Sequence, residues 1–446
     1  MDLSTTPSDP PITAPPDNRS RIFPWVVFGL TFGLLLSDYM SRQVLSAVFP
    51  LLKSEWGLSD SQLGALTSVV ALMVGLLTFP LSLLADRWGR VRSMLVMATV
   101  WSLATLLCAL AENYHQLLGA RFLVGVGEAA YGSVGAAVML SVFAPQLRAS
   151  LSGAFLAGGS FGSVVGVAVG GVIAEHIGWR WTFAVMAALG LLLVAVFRVL
   201  VTESSLRRHT FTDSPAGDGD SPAPSNTVRA PLSSLFSSVP LWCAYIGGGL
   251  QLFVGAALMA WLPSFFQRSY AMPTDHAGLA ASGYVLLIGA GMVACGILTD
   301  RAARRNPLRQ WSSALLYCTI SLILLTAAFS LGTGPIQLTV LALGALTAAG
   351  SAGAMSSMVV SLTHPGLRAT ALAVVTLANS ILGLALGPLV VGILADRYGL
   401  ASSLRLVPLA YLGAIGFLVL GRYTYPAGLR RLADSGREPS GPSTLP

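Results

Sequence analysis

Charge is scarce in this chain of 446 residues. Asp, Glu, Lys and Arg together make up 10% of it, against 54% hydrophobic residues, whereas soluble globular proteins carry about 25% charged residues. So small a polar share cannot cover a surface that faces water, and it points to a bilayer. Lysine occurs once, at Lys53, and arginine supplies the other positive charges. The net charge of +7 could suit a nucleic-acid partner. The arginines, however, sit in short gaps between apolar runs, as they do in loops that orient a membrane protein. The four cysteines, Cys108, Cys243, Cys295 and Cys318, stand singly in apolar segments without a CxxC pair. That argues against a disulfide framework or a zinc site and for small buried hydrophobes. No HExxH, GxSxG or P-loop pattern stands in a supporting context, so neither a membrane enzyme nor an ATP-driven pump is indicated. Residues 1–20 are rich in Pro, Ser and Thr and have no apolar core, which predicts a cytoplasmic tail and not a signal peptide.

What the chain does have is long apolar runs. A spanning helix needs about 20 predominantly apolar residues. Such runs lie near 23–50, 61–84, 93–111, 115–142, 149–176 and 181–200, then near 239–267, 278–300, 310–330, 335–362, 369–396 and 403–421. Between the two sets, 203–238 is polar and rich in Pro, Gly and Ser, with a basic flank at Arg207 and Arg208. Such a stretch cannot bury apolar surface and reads as a linker. The expected organisation is therefore a tail at 1–22, a six-helix bundle at 23–202, a linker at 203–238, a second six-helix bundle at 239–421 and a tail at 422–446. With both termini on the cytoplasmic side, nineteen of the 26 basic residues fall in cytoplasmic segments, the asymmetry expected of that orientation. Localisation in a bacterial inner membrane is the corresponding expectation.

The halves repeat one another. The segment from Ser82 to Arg90 (SLLADRWGR) matches Gly296 to Arg301 (GILTDR); Pro145, Arg148 and Ala149 match Pro365, Arg368 and Ala369; Gly171 and Glu175 match Gly392 and Asp396. The offsets of 214, 220 and 221 residues fit a duplicated six-helix unit with a central site between its copies. The loop with Asp86, Arg87, Gly89 and Arg90, and its second copy with Asp300, Arg301, Arg304 and Arg305, resembles the signature of the major facilitator superfamily. Ser82 and Val91 depart from that pattern. The resemblance implies an all-α polytopic fold of twelve transmembrane helices in two pseudo-symmetric bundles, and a secondary transporter working by alternating access. It implies that Asp86, Arg87, Gly89, Arg90, Arg148, Asp300, Arg301 and Arg368 form a cytoplasmic gate, with a carboxylate placed to accept from a helix N-terminus and pair with arginines. Arg121, Gly125 and Gly127 are similar to the family's RxxxGxG element, which is associated there with proton coupling. Gly153, Gly162, Gly166, Gly170 and Gly171 resemble its antiporter motif, with Val167 where the proline would stand, or serve close helix packing. Two further segments, Asp38 to Arg42 (DYMSR) and Val124 to Tyr131 (VGVGEAAY), look like the Spinster branch. That branch is implicated in moving lysophospholipids and sphingoid phosphates. Anion:cation and hexuronate-type permeases share similar elements.

Ionisable groups at membrane depth are costly and mark function by default. Asp38 lies some 15 residues into the first helix, roughly 22 Å along it, and Arg42 follows one turn later on the same face. Glu128 lies near the middle of the fourth helix, with Arg121 two turns away. Asp38, Glu128, Arg42 and Arg121 balance to zero charge and form the expected proton-coupling group. If the two acids compete for Arg42, protonating one frees the arginine for an anionic substrate, because burial and a like charge both favour the protonated carboxylate. Arg42, Glu128, Tyr39 and Tyr131 are the substrate-binding candidates of this half. The second half has no mid-membrane acid and offers Gln251, Trp261, Tyr284 and Asn379, which bind substrate or make interhelical hydrogen bonds. Pro388 after Gly387 predicts a bend in the eleventh helix. The expected activity is proton-coupled transport of an amphipathic or organic anion, a lysophospholipid-like one first. A soluble sugar acid or aromatic acid is the alternative, and a non-transporting receptor the reading from another class. The proton is the only coupling partner expected, with no other cofactor, no metal and no nucleic acid, and the chain is expected to work as a monomer in the bilayer.

Overall fold

The computed structural model describes residues 18–209, 232–236, 238–304, 306–364 and 367–435. Arg305, Pro365 and most of the expected linker and tails lie outside them. Among the described residues every regular element is helical. Twelve helices are long and apolar enough to cross a membrane: α1 Ile22–Trp56, α2 Asp60–Trp88, α3 Arg90–Leu110, α4 Tyr114–Ser141, α5 Gln146–His176, α6 Trp179–Leu200, α7 Val239–Tyr270, α8 Thr274–Ala303, α9 Leu308–Ser330, α10 Pro335–Ser361, α11 Thr370–Tyr398 and α12 Leu400–Arg430. Two expected boundaries move. A short helix, Glu203–His209, opens the segment read as linker, and the last helix continues to Ser435, well past 421. Helix needs no apolar face to propagate, so the loss of hydrophobicity marked the membrane boundary and not the end of the helix. Large apolar side chains such as Leu156, Leu192, Val293, Ile323 and Ile336 stand exposed on the outside of the bundle, the surface a bilayer covers.

Two ends of the bundle differ. One carries the α2–α3 loop, the end of α6, the start of α7, the start of α1 and the end of α12 (the linker end); the other carries the α1–α2 and α7–α8 loops (the far end). A continuous buried cluster joins the halves toward the far end, from Val44, Val48 and Leu52 of α1 and Leu63 and Leu66 of α2 to Leu258, Leu262 and Phe266 of α7. A second cluster, built from Val27, Leu34, Val91, Met94, Tyr131, Val134 and Phe155 among others, belongs to the first half alone. The halves are packed together at the far end and carry separate cores at the linker end.

Helices in lipid gain little from hydrophobic burial against one another, so close backbone approach matters. Gly64 of α2 lies under the Pro388 carbonyl of α11, where a Cβ would come within 2.5 Å of the oxygen. Gly392 of α11 leaves equally little room beside the Asp60 backbone, and Gly171 of α5 faces Gly278 of α8. The α5 glycines Gly162, Gly166 and Gly170 sit against Leu36, Met40 and Val44 of α1, whereas Gly153 meets nothing. Three of the expected motif glycines therefore have a packing role within one half. A bulkier residue at Gly64 must part α2 from α11. Gly64→Val is expected to raise far-side maleimide labelling of an Ala260→Cys reporter about tenfold, and the native cysteines are all buried, so they add no background. Unchanged labelling would contradict the role given to this contact.

Four helices are interrupted, α12 by a short 3-10 turn at Val407–Leu409. α4 breaks after Glu128, at Ala129 and Ala130, and α10 breaks at Ala349 to Ser351. The two breaks are 220 residues apart, the spacing of the sequence repeat. Side chains from neighbouring helices satisfy the exposed carbonyls: Thr78 donates to Ala129 O, and Gln251 and Tyr411 both donate to Ala348 O. Irregular backbone at membrane depth is tolerated where protein covers it in this way. In α11 the bend expected at Pro388 takes the form of a π-helical segment, Asn379–Ala385, one turn before the residue that lacks a backbone donor.

Candidate functional site

The first-half charges converge where α1 passes the break in α4. Arg42 donates to Glu128 Oε2 from Nε at 3.0 Å and from Nη2 at 2.6 Å. The Glu128 side chain is wholly buried, and that of Arg42 is 16% exposed. Glu128 Oε1 and Asp38 Oδ1 are buried without hydrogen-bond partners. Asp38 lies within electrostatic range of both Glu128 and Arg42, and the Tyr39 ring centroid is 5.2 Å from the Arg42 guanidinium carbon. One guanidinium is thus paired with Glu128, with a second buried carboxylate, Asp38, in its electrostatic range, and each acid keeps an oxygen uncommitted. A buried charge without such compensation is strongly destabilising.

Arg121 is in electrostatic range of Glu128 and makes no ion pair with it. Its guanidinium, fully buried, donates to the carbonyls of Ser41 and Arg42 in α1 at 3.2 Å and to Leu66 in α2 at 3.5 Å. It holds α1, α2 and α4 together and fixes the backbone that carries Arg42. Three of its donors meet carbonyls, which gives it a positioning role beside the pair. Tyr131 is likewise committed: its hydroxyl donates to Thr31 O at 2.8 Å, and its ring packs edge-on against Trp101.

Three of the four second-half candidates make hydrogen bonds to backbone carbonyls. Gln251 donates to Ala348 O at 2.7 Å, Trp261 to Pro388 O at 3.0 Å and Tyr284 to Leu338 O at 3.0 Å. These are the interhelical hydrogen bonds that stood as the other reading of those residues. Asn379 opens the π segment of α11, half-buried against Gly248 of α7.

A small cavity lies between the halves, and Arg42 lines it. Its other walls are Gln43 of α1, Thr67 and Ala71 of α2, Ala256, Met259 and Ala260 of α7, and Leu384 and Pro388 of α11. One side is cationic and polar, the other apolar, as the charge distribution of the sequence suggested. Gln43 and Thr67 were not expected. Each is an ordinary polar residue in an apolar run, and the only available signal was that Gln43 adjoins Arg42 in the chain.

The expected gate at the linker end is not assembled. Its one ion pair is local, Asp86 with Arg90 at 3.8 Å and both exposed. Arg148 Nε donates to Phe143 O, and Asp300, Arg301 and Arg368 are exposed with no ion pair among the described residues. Arg87 is exposed as well. Gly89 turns the chain between α2 and α3 at φ 96°, a conformation that glycine adopts freely. The polar contacts between halves sit at the far end instead. Asp60 receives Lys53 at 2.7 Å and both terminal nitrogens of Arg268 at 2.8 and 2.6 Å. Asp396 accepts from the backbone N–H groups of Asp60 and Ser61 at 2.7 and 2.9 Å, so its carboxylate sits on the N-terminus of α2, where the helix dipole favours an anion. Glu175 of α5 accepts from the Thr274 N–H at the start of α8. Asp60→Asn keeps the shape but weakens the charge-assisted bonds. It should raise far-side labelling of the same Ala260→Cys reporter by about tenfold, and no change would count against the far-end latch.

Comparison with known proteins gives this arrangement a family. A probable L-galactonate transporter of Escherichia coli is 28% identical over 73% of this chain and 74% of its own length. Spinster homolog 1 of Xenopus laevis is 24% identical over 83% of this chain and 73% of its own. Among solved structures, a bacterial homologue of the human lysosomal transporter Spinster, crystallised inward-facing and unoccupied, superimposes with a TM-score of 0.76 at 20% identity, covering 94% of this chain and 99% of that one. That last likeness speaks to the fold alone. The Major Facilitator Superfamily profile matches residues 31–388, and with twelve membrane helices in two repeated bundles the chain belongs to that superfamily of multi-pass membrane transporters.

Proposed function

We propose that this transporter couples protons to the movement of an organic anion, with Arg42 passing between Glu128 and the anionic group of the substrate. The observation that carries the reading is the buried Arg42–Glu128 pair, with Asp38 in electrostatic range, at the wall of a cavity between the halves. A proton arriving on Glu128 weakens its hold on Arg42, and the freed fork pairs with a carboxylate or phosphate. Returning the proton re-forms the internal pair and expels the anion. Asp38 keeps the guanidinium from standing without a counter-charge during the exchange.

The halves supply the alternation. With the far end latched through Asp60, Arg268 and Asp396 and the linker end parted, the state described here opens toward the linker side. On the orientation suggested by the basic residues, that side is the cytoplasm, and the Asp86 to Arg90 loop with its partners Arg148, Asp300, Arg301 and Arg368 closes it in the opposite state.

Two chemical classes of substrate fit an Arg42-bound anion. The apolar wall of Ala256, Met259, Ala260 and Leu384 can cover the chain of an amphipathic anion such as a lysophospholipid. A compact organic acid fits the same wall with its carbon skeleton. The test is uptake into proteoliposomes of purified protein, comparing a hydroxylated six-carbon acid with a lysophospholipid. Accumulation that follows an imposed proton gradient supports the reading. Accumulation of an anion indifferent to that gradient would refute the coupling.

A further inference from the structure

We infer that Gln43 and Thr67 form a hydroxyl-recognition subsite beside Arg42, which fits the cavity to a compact hydroxylated carboxylate. This deepens the proposed function and rests on its placing of the anion at Arg42. The two residues stand out by what they do not bond. Thr31 of α1, Thr78 of α2 and Thr105 of α3 donate to carbonyls of their own helix, and Ser68 donates across to Ala385 O. Thr67 Oγ1 is buried and bonds to nothing. Gln43 has two donors and an acceptor, and its one side-chain bond runs from Nε2 to the Met259 sulfur at 3.9 Å, a weak acceptor. Both residues line the cavity that Arg42 lines.

Nothing else in the cavity can read a hydroxyl. The opposite wall is Ala256, Met259, Ala260, Leu384 and Pro388, which carry no hydroxyl, amide or charged group. A carboxylate on Arg42 places the adjoining carbons of its ligand along Gln43 and then Thr67, with the apolar wall covering the C–H or ring face. That combination of a charged anchor, a few directed polar groups and an apolar cover is how small-molecule sites fix orientation. Toward the far end the site is stopped by the Ser68–Ala385 bond and by Gly64 under Pro388. A long alkyl chain laid along this surface leaves both polar groups without partners, which disfavours it.

The experiment compares ligands in pairs that differ only in hydroxyl groups, galactonate with hexanoate and 3,4,5-trihydroxybenzoate with benzoate, and adds lysophosphatidic acid as a competitor. Dissociation constants are measured on purified wild-type protein and on Thr67→Val and Gln43→Leu, with melting temperatures of the unliganded proteins to confirm folding. In the wild type at least one hydroxylated acid is expected to bind about tenfold or more tighter than its deoxygenated partner. Each substitution should bring that ratio toward one while leaving the affinity for the deoxygenated acid unchanged. A ratio preserved in both variants, a wild type indifferent to hydroxyls, or tighter binding of lysophosphatidic acid than of every small acid overturns the subsite. Arg42→Ala separates the two claims: acid binding that survives it refutes the anion's placing at Arg42, whatever the hydroxyl ratio does.

Discussion

Glu128→Gln is expected to reduce gradient-driven accumulation about 100-fold while the protein remains folded. Glutamine fills the same volume but neither carries the charge that holds Arg42 nor takes up a proton. Losing one partner of a buried, hydrogen-bonded charge pair costs about 2–5 kcal/mol, and each 1.36 kcal/mol is a factor of ten in rate. Asp38 remains within electrostatic range of Arg42, so the guanidinium keeps a counter-charge and the fold survives. Exchange of substrate for substrate, which needs no net proton movement, should fall far less than uphill transport. Proteoliposome uptake with and without an imposed pH gradient separates the two. Gradient-driven uptake at wild-type rates in this variant would place the coupling elsewhere.

Arg42→Ala is expected to be the most damaging change at the site. It leaves Asp38 and Glu128 facing one another in a buried setting with only Arg121 nearby, and the donors of Arg121 are fixed on the carbonyls of Ser41, Arg42 and Leu66. Removing one member of a buried ionic group typically costs about 3–5 kcal/mol of stability, so the melting temperature should fall and fall least at low pH, where the carboxylates are neutral. Ligand-induced stabilisation should vanish with it. Arg42→Lys restores the charge but not the two-pronged donor geometry. It should therefore recover most of the stability and little of the anion affinity. Thermal unfolding of both variants, with and without a stabilising acid, gives the comparison. Full ligand stabilisation in Arg42→Ala would contradict the assignment.

The fold was legible because lipid imposes a simple rule. Each crossing needs a long apolar run, and twelve such runs stood in the sequence with a polar break after the sixth. The pairing of Arg42 with Glu128 was legible for a related reason, since charges at membrane depth must find one another. The role of Arg121 was not, because its partners are backbone carbonyls, which every residue carries and no sequence marks. The carbonyl partners of Tyr131, Gln251, Trp261 and Tyr284 were not legible for the same cause: a polar side chain in an apolar helix looks alike whether it meets a substrate or a neighbouring carbonyl. The breaks in α4 and α10 contain no proline, only stretches rich in Gly and Ala (Gly125 to Ala130 and Gly344 to Gly350) that are equally common in unbroken membrane helices. Asp60 escaped notice because it stands at the mouth of a helix, and its value comes from Arg268, more than 200 residues away in the chain.

The central claim is that the substrate anion and a proton on the acidic pair arrive together. Proton linkage measures it directly. Calorimetric binding of the most stabilising acid is run in several buffers of different ionisation enthalpy, across a range of pH. If Glu128 must be protonated to release Arg42, binding takes up about one proton, and affinity rises up to about tenfold for each pH unit of acidification above the titration of the pair. The same ligand bound by Glu128→Gln should take up markedly less. Binding that is independent of pH and takes up no proton in the wild type would contradict the account.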